Sequence, residues 1–447
     1  MLPATADMRR YAIVDMKKLI PVIVSLMCLM LVSAVIPVRA YADGYYYADA
    51  KKGEKTSNAD FYSYTWADPI DSYLYENGGY LYRLENTDGK IILEKYDPSF
   101  RYKGKGTIKS ELPLFGGFYA GKDYNYILFG QENTGDSDSR EVVRVVKYTK
   151  GMKRLDSVSF YGMNTHIPFE AGCPRMTENA DGSMLLIEAC HTMYTSSDGY
   201  NHQANMSFFI RTSDMKATRT QYNVASPEYA EYVSHSFDQY ILERYGYIFT
   251  IHHGDAYNRG INVFMISGYS GGSDIAYLLA LRIKGDTGDN YTGLSLGGAE
   301  MNDDNILIAG NTVSQDSGWA KHDQRNVFVL RVPLDGTGTQ APAYFTKYAD
   351  GSGISISKPK LVKISDNSFM LLWNETKDSK TKLYIAMLDK YGRKKGSIHA
   401  FADVKLSECQ PIVYNDQVVF YTTDNSAPRF YFFSKDGDFS AQKNWKK

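Results

Sequence analysis

The sequence predicts an all-β fold, a β-propeller of seven four-stranded blades whose ring is closed by an N-terminal strand. Three observations carry this prediction. Short strand pairs joined by Asn, Asp or Gly turns recur along the chain. Each pair is followed by a third strand and usually by a weaker fourth. No helical periodicity separates one copy from the next.

The pairs read DSYLYENGGYLYRLENTDG (71–89), GGFYAGKDYNYILFGQEN (116–133), GCPRMTENADGSMLLIEAC (172–190) and SHSFDQYILERYGYIFTIHHGD (234–255). LSLGGAEMNDDNILIAGN (294–311), SKPKLVKISDNSFMLLWNETKD (357–378) and SECQPIVYNDQVVFYTTDN (407–425) complete the set. Their turns fall near Gly78, Tyr124, Asp181, Tyr245, Asp303, Asp366 and Asp416, a repeat of about 46 to 64 residues. Third strands follow as VVRVVKYTK, SFFIRTSD, NVFVLRVPLDG, KLYIAMLDKYG and FYFFSKDG, and fourth strands as RLDSVSF or RKKGSIHAF. The last unit has no fourth strand of its own. Phe61–Trp66 alternates like a strand outside any hairpin, and it is expected to complete that blade and remove the open edge. Six or eight blades are the alternatives to seven. Two β-sandwiches would be the competing architecture, but no Pro-, Gly- or Ser-rich linker divides the repeats.

Composition agrees with a folded β-rich chain. Of 447 residues 14% are aromatic, with 37 tyrosines, and 50 Lys+Arg stand against 51 Asp+Glu. A net charge of −1 lacks the basic excess that neutralises phosphates, so nucleic acid is excluded as a partner.

Leu19–Val38 is an uncharged, mostly apolar run preceded by Lys17 and Lys18, and it ends near the small-x-small pattern Ala40-Tyr41-Ala42. Residues 1–42 are therefore expected to be a secretory signal peptide cleaved after Ala42, leaving a single propeller domain over 43–447 in a secreted, extracellular or surface location. An uncleaved membrane anchor is the alternative, and only then does a membrane enter. The mature chain would carry 45 basic and 49 acidic residues.

The blade pattern resembles secreted bacterial propeller repeat proteins in general. The likeness lies in Leu383-Tyr384-Ile385-Ala386-Met387-Leu388-Asp389-Lys390-Tyr391-Gly392, a strand running into a D-x-x-G turn. The Trp-Asp blade ending of WD40 repeats is absent, and Ser196-Ser197-Asp198-Gly199 departs from a sialidase aspartate box in its Asp–Gly spacing and its ending.

Propeller topology sorts the histidines. The loops joining a fourth strand to the next first strand share one face with those joining second to third strands. His166, His191, His202, His235, His252, His253 and His322 all map there, and His399 does not. Two loops of blades three and four stand out, His191-Thr-Met-Tyr194-Thr-Ser-Ser-Asp198-Gly-Tyr200-Asn-His202 and His252-His253-Gly254-Asp255-Ala-Tyr257-Asn258-Arg259. They combine stacking and charged groups suited to ligand recognition. The expected ligand-binding residues are His191, Tyr194, Asp198, His202, His235, His252, His253, Asp255 and Arg259. No cofactor motif is present. A divalent metal on His191, His235, His252 and Asp255 is the one cofactor these side chains would suit. Solvated loops and histidines that hydrogen-bond between blades are the structural alternative.

Three other features have chemical look-alikes. Gly135-Asp136-Ser137-Asp138-Ser139 lacks the calcium-loop pattern and reads as a solvated loop. Gly293-Leu294-Ser295-Leu296-Gly297 matches a nucleophile elbow but opens an inner strand, not a strand–turn–helix, and reads as coincidence. An Asp181-Gly182 hairpin turn would set Cys173 opposite Cys190, within disulfide reach, although Pro174 disturbs the ladder between them. Cys409 would then be an unpaired thiol.

The expected function is a secreted propeller that binds a glycan, surface polymer or protein ligand on the top face of blades three and four. A polysaccharide lyase or hydrolase using top-face His and Arg is the second expectation. An interaction propeller without a small-molecule site is the third.

Overall fold

The structure, a computed structural model, describes residues 39–40, 46–49 and 67–439, apart from 88, 171, 197–198, 224–232, 257, 272–273 and 424–426. Seven antiparallel sheets follow one another along the chain, four of them simple meanders, two with a split innermost position and one completed by N-terminal strands. The innermost strands are Ser72–Asn77, Leu114–Ala120, Arg175–Glu178, Ser236–Arg244, Leu294–Met301, Lys360–Ser365 and Ile412–Tyr414. This is the expected seven-bladed propeller, and the hairpin turns lie where the sequence sets them.

Burial explains the pattern of each blade. The second strands Met184–Met193 and Asn305–Thr312 are buried along their whole length, because both sheet faces meet a neighbouring blade. Tyr126, Leu128, Val143 and Val145 of blade two pack on Leu185, Ile187, Phe208 and Ile210 of blade three. Leu307, Ala309 and Val327 of blade five meet Phe369, Leu371 and Trp373 of blade six in the same way. The outer strand Lys394–Ala402 is mostly exposed, which is why fourth strands read weakly.

The ring closes through an N-terminal strand, but a different one from that expected. Blade seven holds Ile412–Tyr414, Gln417–Thr423 and Pro428–Ser434, and Tyr46–Asp49 pairs with the last of these. Arg39–Ala40 adds a further strand outside it. Phe61–Trp66 lies outside the described residues, as does most of the leader-like segment. At the junction with blade one, Phe100 stacks between Phe430 and Phe432, at 5.2 and 5.1 Å. Among the described residues no helix is long and apolar enough to cross a membrane.

Blade three interrupts its innermost position. Thr165–Pro168 and Arg175–Glu178 both pair with Met184–Met193, the first along its C-terminal half and the second along its N-terminal half. The register Arg175↔Glu188, Met176↔Ile187, Thr177↔Leu186, Glu178↔Leu185 is the one implied by the Asp181-Gly182 turn. It stops one residue after Pro174, which has no N–H to extend the ladder. Cys173 and Cys190 therefore leave the paired register, and both are free buried thiols, as is Cys409. The expected disulfide is not formed. Cys190 Sγ donates instead to Glu170 O at 2.8 Å.

Candidate functional site

The histidines of blades three and four do lie together at the end of the blades carrying the long loops, but most face inward. His191, His252, His253, Asp255 and Arg259 are buried, while Tyr194, His202 and His235 are half-buried. Asp198 lies outside the described residues. Thr165 Oγ1 lies 2.7 Å from His191 Nδ1 and also donates to Met163 O. His253 Nε2 meets Thr292 Oγ1 at 3.0 Å, in the connection to blade five, and His252 Nε2 lies 3.5 Å from Glu188 Oε1 of blade three. Burial pushes each of these three imidazoles down to about 3, so they stand neutral. They join strands and blades to one another.

The remaining members have similar roles. His202 Nδ1 is 3.5 Å from His235 Nε2, and His235 Nδ1 is 3.1 Å from Asp255 Oδ1. Tyr194 donates to Asp138, and His166 Nδ1 meets Asp136 at 2.7 Å, which fastens the Asp-rich loop to blade three. Arg259 is heavily engaged: its guanidinium donates to the carbonyls of Asp255, Lys284, Asp289 and Tyr291 at 2.5–2.8 Å. Four of its five N–H donors are thus spent on holding loops together, and it cannot offer the paired donors that suit a substrate carboxylate. Among the described residues no three His, Cys, Asp or Glu converge as a metal site, so His191, His235, His252 and Asp255 do not assemble as ligands. Ser295, in the nucleophile-elbow match, is buried on an inner strand and accepts from Arg325 at 3.2 Å.

A substantial cavity lies elsewhere, in the central channel. It has a volume of about 830 Å³ and is lined by the inner strands of all seven blades. Tyr73, Tyr75, Phe118 and Tyr240 supply aromatic walls, and Glu300 and Arg175 supply charge. The exposed rim carries Glu76, Lys122 and Val413, beside the turns between first and second strands. This is the face opposite the histidine loops. A cavity of this size with few converging polar groups is what small-ligand sites share.

Arg175 marks the deep end. It lines both this cavity and a small void of about 20 Å³ beneath it. Its Nη2 donates to Tyr240 OH at 3.3 Å, and its guanidinium carbon lies 4.7 Å from the Tyr240 ring centre. Asp238 Oδ1 stands off at 3.7 Å, and Nε is buried with no hydrogen-bond partner. Lys358 and Lys360 line the same void. Burial pushes the Lys360 ammonium down to about 8, and burial raises the Glu408 carboxyl to about 7. Glu300, in the cavity itself, is raised by burial to about 7 although Lys363 opposes the shift. Three basic side chains, Arg175, Lys358 and Lys360, therefore line the floor beside Asp238 and Glu408, and burial opposes ionisation of Glu408 and of both lysines.

None of these channel residues was a sequence candidate. A signal was present: charge at the start of inner strands (Arg175 and Lys360) and in the connections leading into them (Lys358 and Glu408), where a packed axis has no need of it. Reading it required knowing which alternate positions face the axis, and the interruptions in blades three and six blur that alternation.

The sequence matches no protein-family profile and no curated protein. Solved structures similar to it include the Dos1 propeller, at 8% identity over 76% of this chain and 70% of that one, with a TM-score of 0.38. The polysaccharide lyase Uly1 is 12% identical over 89% of this chain and 99% of its own, with a TM-score of 0.49. An endo-arabinase from Bacteroides thetaiotaomicron VPI-5482 is 9% identical over 58% of this chain and 92% of its own, with a TM-score of 0.30. By its own strand order the chain is a seven-bladed β-propeller protein.

Proposed function

We propose that the protein binds an acidic saccharide in the central channel, with Arg175 taking a uronate carboxylate and the channel tyrosines packing on the sugar rings. The observation that carries this reading is Arg175 itself. A guanidinium sits on a cavity floor among aromatic side chains, with Nε unpartnered and its nearest carboxylate 3.7 Å away. Arginine offers paired donors to a carboxylate, and aromatic faces suit the apolar side of a sugar ring. The leader-like segment ending near Ala42 supports a place outside the cytoplasm, where acidic glycans occur. The histidine face is the weaker candidate, because its side chains are largely buried between strands and blades.

Calorimetry with a panel of uronate trimers (galacturonate, mannuronate and a glucuronate-containing trimer) and a neutral trimer tests the reading. At least one acidic trimer is expected to bind and the neutral one to bind far less. Arg175→Gln is expected to weaken binding about ten- to a hundredfold, the range of a hydrogen bond to a charged group. Equal binding by the variant would overturn it. Loss of binding on His202→Ala with Arg175→Gln unaffected would return the site to the histidine face.

Glu300 favours a second reading, catalysis in the same cavity. A carboxyl near 7 in contact with a ligand is suited to proton transfer at neutral pH. Chain cleavage in the same incubations, abolished by Glu300→Gln with binding retained, would establish an enzyme.

A further inference from the structure

Among the described residues the channel is open at one end and covered at the other. Before entering blade one, residues 67–71 cross the end of the channel nearest the histidine loops. Ala67 N donates to Phe237 O of blade four at 3.3 Å, and Asp71 N donates to Glu408 Oε1 of blade seven at 3.1 Å. Between them Ile70 lies against Cys173 of blade three. The segment thus spans the axis from blade four to the junction of blades seven and one. It is held at its far end by Asn86, whose N and Nδ2 donate to Asp71 O and Oδ1, both at 2.8 Å.

Little space remains beneath this crossing. The void between it and the channel floor is about 20 Å³, room for about one water molecule. Ala67, Asp68 and Ile70 form one side of that void, and Arg175, Asp238, Lys358, Lys360 and Glu408 form the other. A polymer cannot pass through. Every ligand must enter and leave past the rim of Glu76, Lys122 and Val413.

Depth adds the second constraint. Arg175 is fixed beside Tyr240, and Tyr240 lies four residues before Arg244, where its strand reaches the rim turn. At the rise of a β-strand that is a descent of about 13 Å. An internal sugar of a long chain, continued in both directions, cannot bring its carboxylate to that depth in a pocket closed below. A chain end can.

Building on the reading above, we propose that the cavity recognises the terminus of an acidic saccharide chain, with the terminal uronate seated on Arg175 and the rest of the chain leaving through the rim. The pocket is then a chain-end site, selective for short oligosaccharides and for polymers only in proportion to their ends.

The test compares the uronate trimer that binds best with its own high polymer, at equal total sugar, by competition on the full chain. Chain-end recognition predicts that the polymer competes more weakly by a factor equal to the ratio of the two chain lengths. Random scission of the polymer should restore competition in step with the ends created. Trimers blocked at one end, each end in turn, should show that one blockage abolishes binding and the other is tolerated. If the polymer competes as well as the trimer per sugar, or if both blocked trimers bind, the chain-end inference falls while the anionic-saccharide reading stands. If no acidic trimer binds in a way that depends on Arg175, both fall.

Discussion

His252 and Glu188 meet across the boundary of blades four and three, with Nε2 at 3.5 Å from Oε1 and both side chains fully buried. Asn205 Nδ2 donates to the same carboxylate oxygen at 2.9 Å. Burial pushes the carboxyl up to about 8 and the imidazole down to about 3, so a neutral acid faces a neutral base over a wide pH range. His191 and His253 are lowered in the same way, and Glu300 and Glu408 are raised.

These six groups predict a stability plateau with two falling limbs. The histidines are depressed in the fold from 6.5 to about 3, so the unfolded chain binds their protons first and stability is lost as pH falls below 6.5. The three glutamates are raised from 4.5 to about 7 or 8, so their contribution is full below 4.5 and lost as pH rises toward the folded values. Between 4.5 and 6.5 the two sets oppose each other, three protons against three. Denaturant titrations across the pH range should show greatest stability in that interval and a steep acid limb below it. A monotonic rise through neutral pH would contradict the assignment of buried neutral carboxyls.

Glu188→Gln isolates one of the six. The amide keeps the shape and an acceptor for Asn205 but cannot ionise. At pH 5 the variant should be close to the parent in stability. At pH 8 it should be more stable, by on the order of a few kcal/mol given the length of the shift. Equal differences at the two pH values would show that Glu188 is ionised in the fold.

Gly297 tests how closely the blades converge at the axis. A Cβ there would lie 2.0 Å from Pro359 O and 2.9 Å from Pro359 N, both backbone atoms of the adjoining blade. Gly298 beside it has Leu361 N at 2.9 Å. Neither neighbour is a flexible side chain able to move aside. Gly297→Ala should therefore cost about 3 kcal/mol or more, at the top of the range for overpacking. Gly135→Ala, at an exposed loop with open space around the added carbon, should be nearly silent in the same thermal melt.

That glycine also shows what the sequence could convey. Gly293-Leu294-Ser295-Leu296-Gly297 matches a catalytic pattern, but its last glycine is required by the approach of blade six and its serine by a buried hydrogen bond from Arg325. Blade number and turn positions were legible because hairpin turns and alternation are local. The closing strand was not, because Tyr46–Asp49 reads Tyr-Tyr-Ala-Asp without the alternation that drew attention to Phe61–Trp66, and its place depends on a partner almost 400 residues away, a long-range pairing. The histidine loops were legible as a group, but not their direction: His252 and His253 sit on a strand buried on both faces, so neither of the two alternating sides leads to solvent. Arg175 was hidden for a related reason. It is the first residue of an inner strand that restarts after Pro174, where no periodicity indicates which way a side chain points.

Arg83 predicts where the ring is most sensitive. It is fully buried, with Nη1 donating to Glu85 at 2.6 Å and Nε and Nη2 donating to Glu94 at 3.1 and 2.8 Å. Tyr96 OH donates to Glu94 at 2.5 Å, and Tyr421 OH, from blade seven, donates to Glu85 at 2.7 Å. One guanidinium thus pairs with two buried carboxylates, one of which also takes the bond from blade seven to blade one. Arg83→Met has similar volume but strands both acids without a counter-charge, a loss of about 3–5 kcal/mol for a broken buried pair. Because the affected carboxylates lie at the ring junction, amide exchange should accelerate first in Tyr80–Thr87 and Gln417–Thr423, ahead of blades three to five. Adding Glu85→Gln and Glu94→Gln to Arg83→Met should recover much of the lost stability, since no charge then remains buried. A single variant that costs less than about 1 kcal/mol, the value of an exposed pair, would mean that the network is not what holds blade seven to blade one.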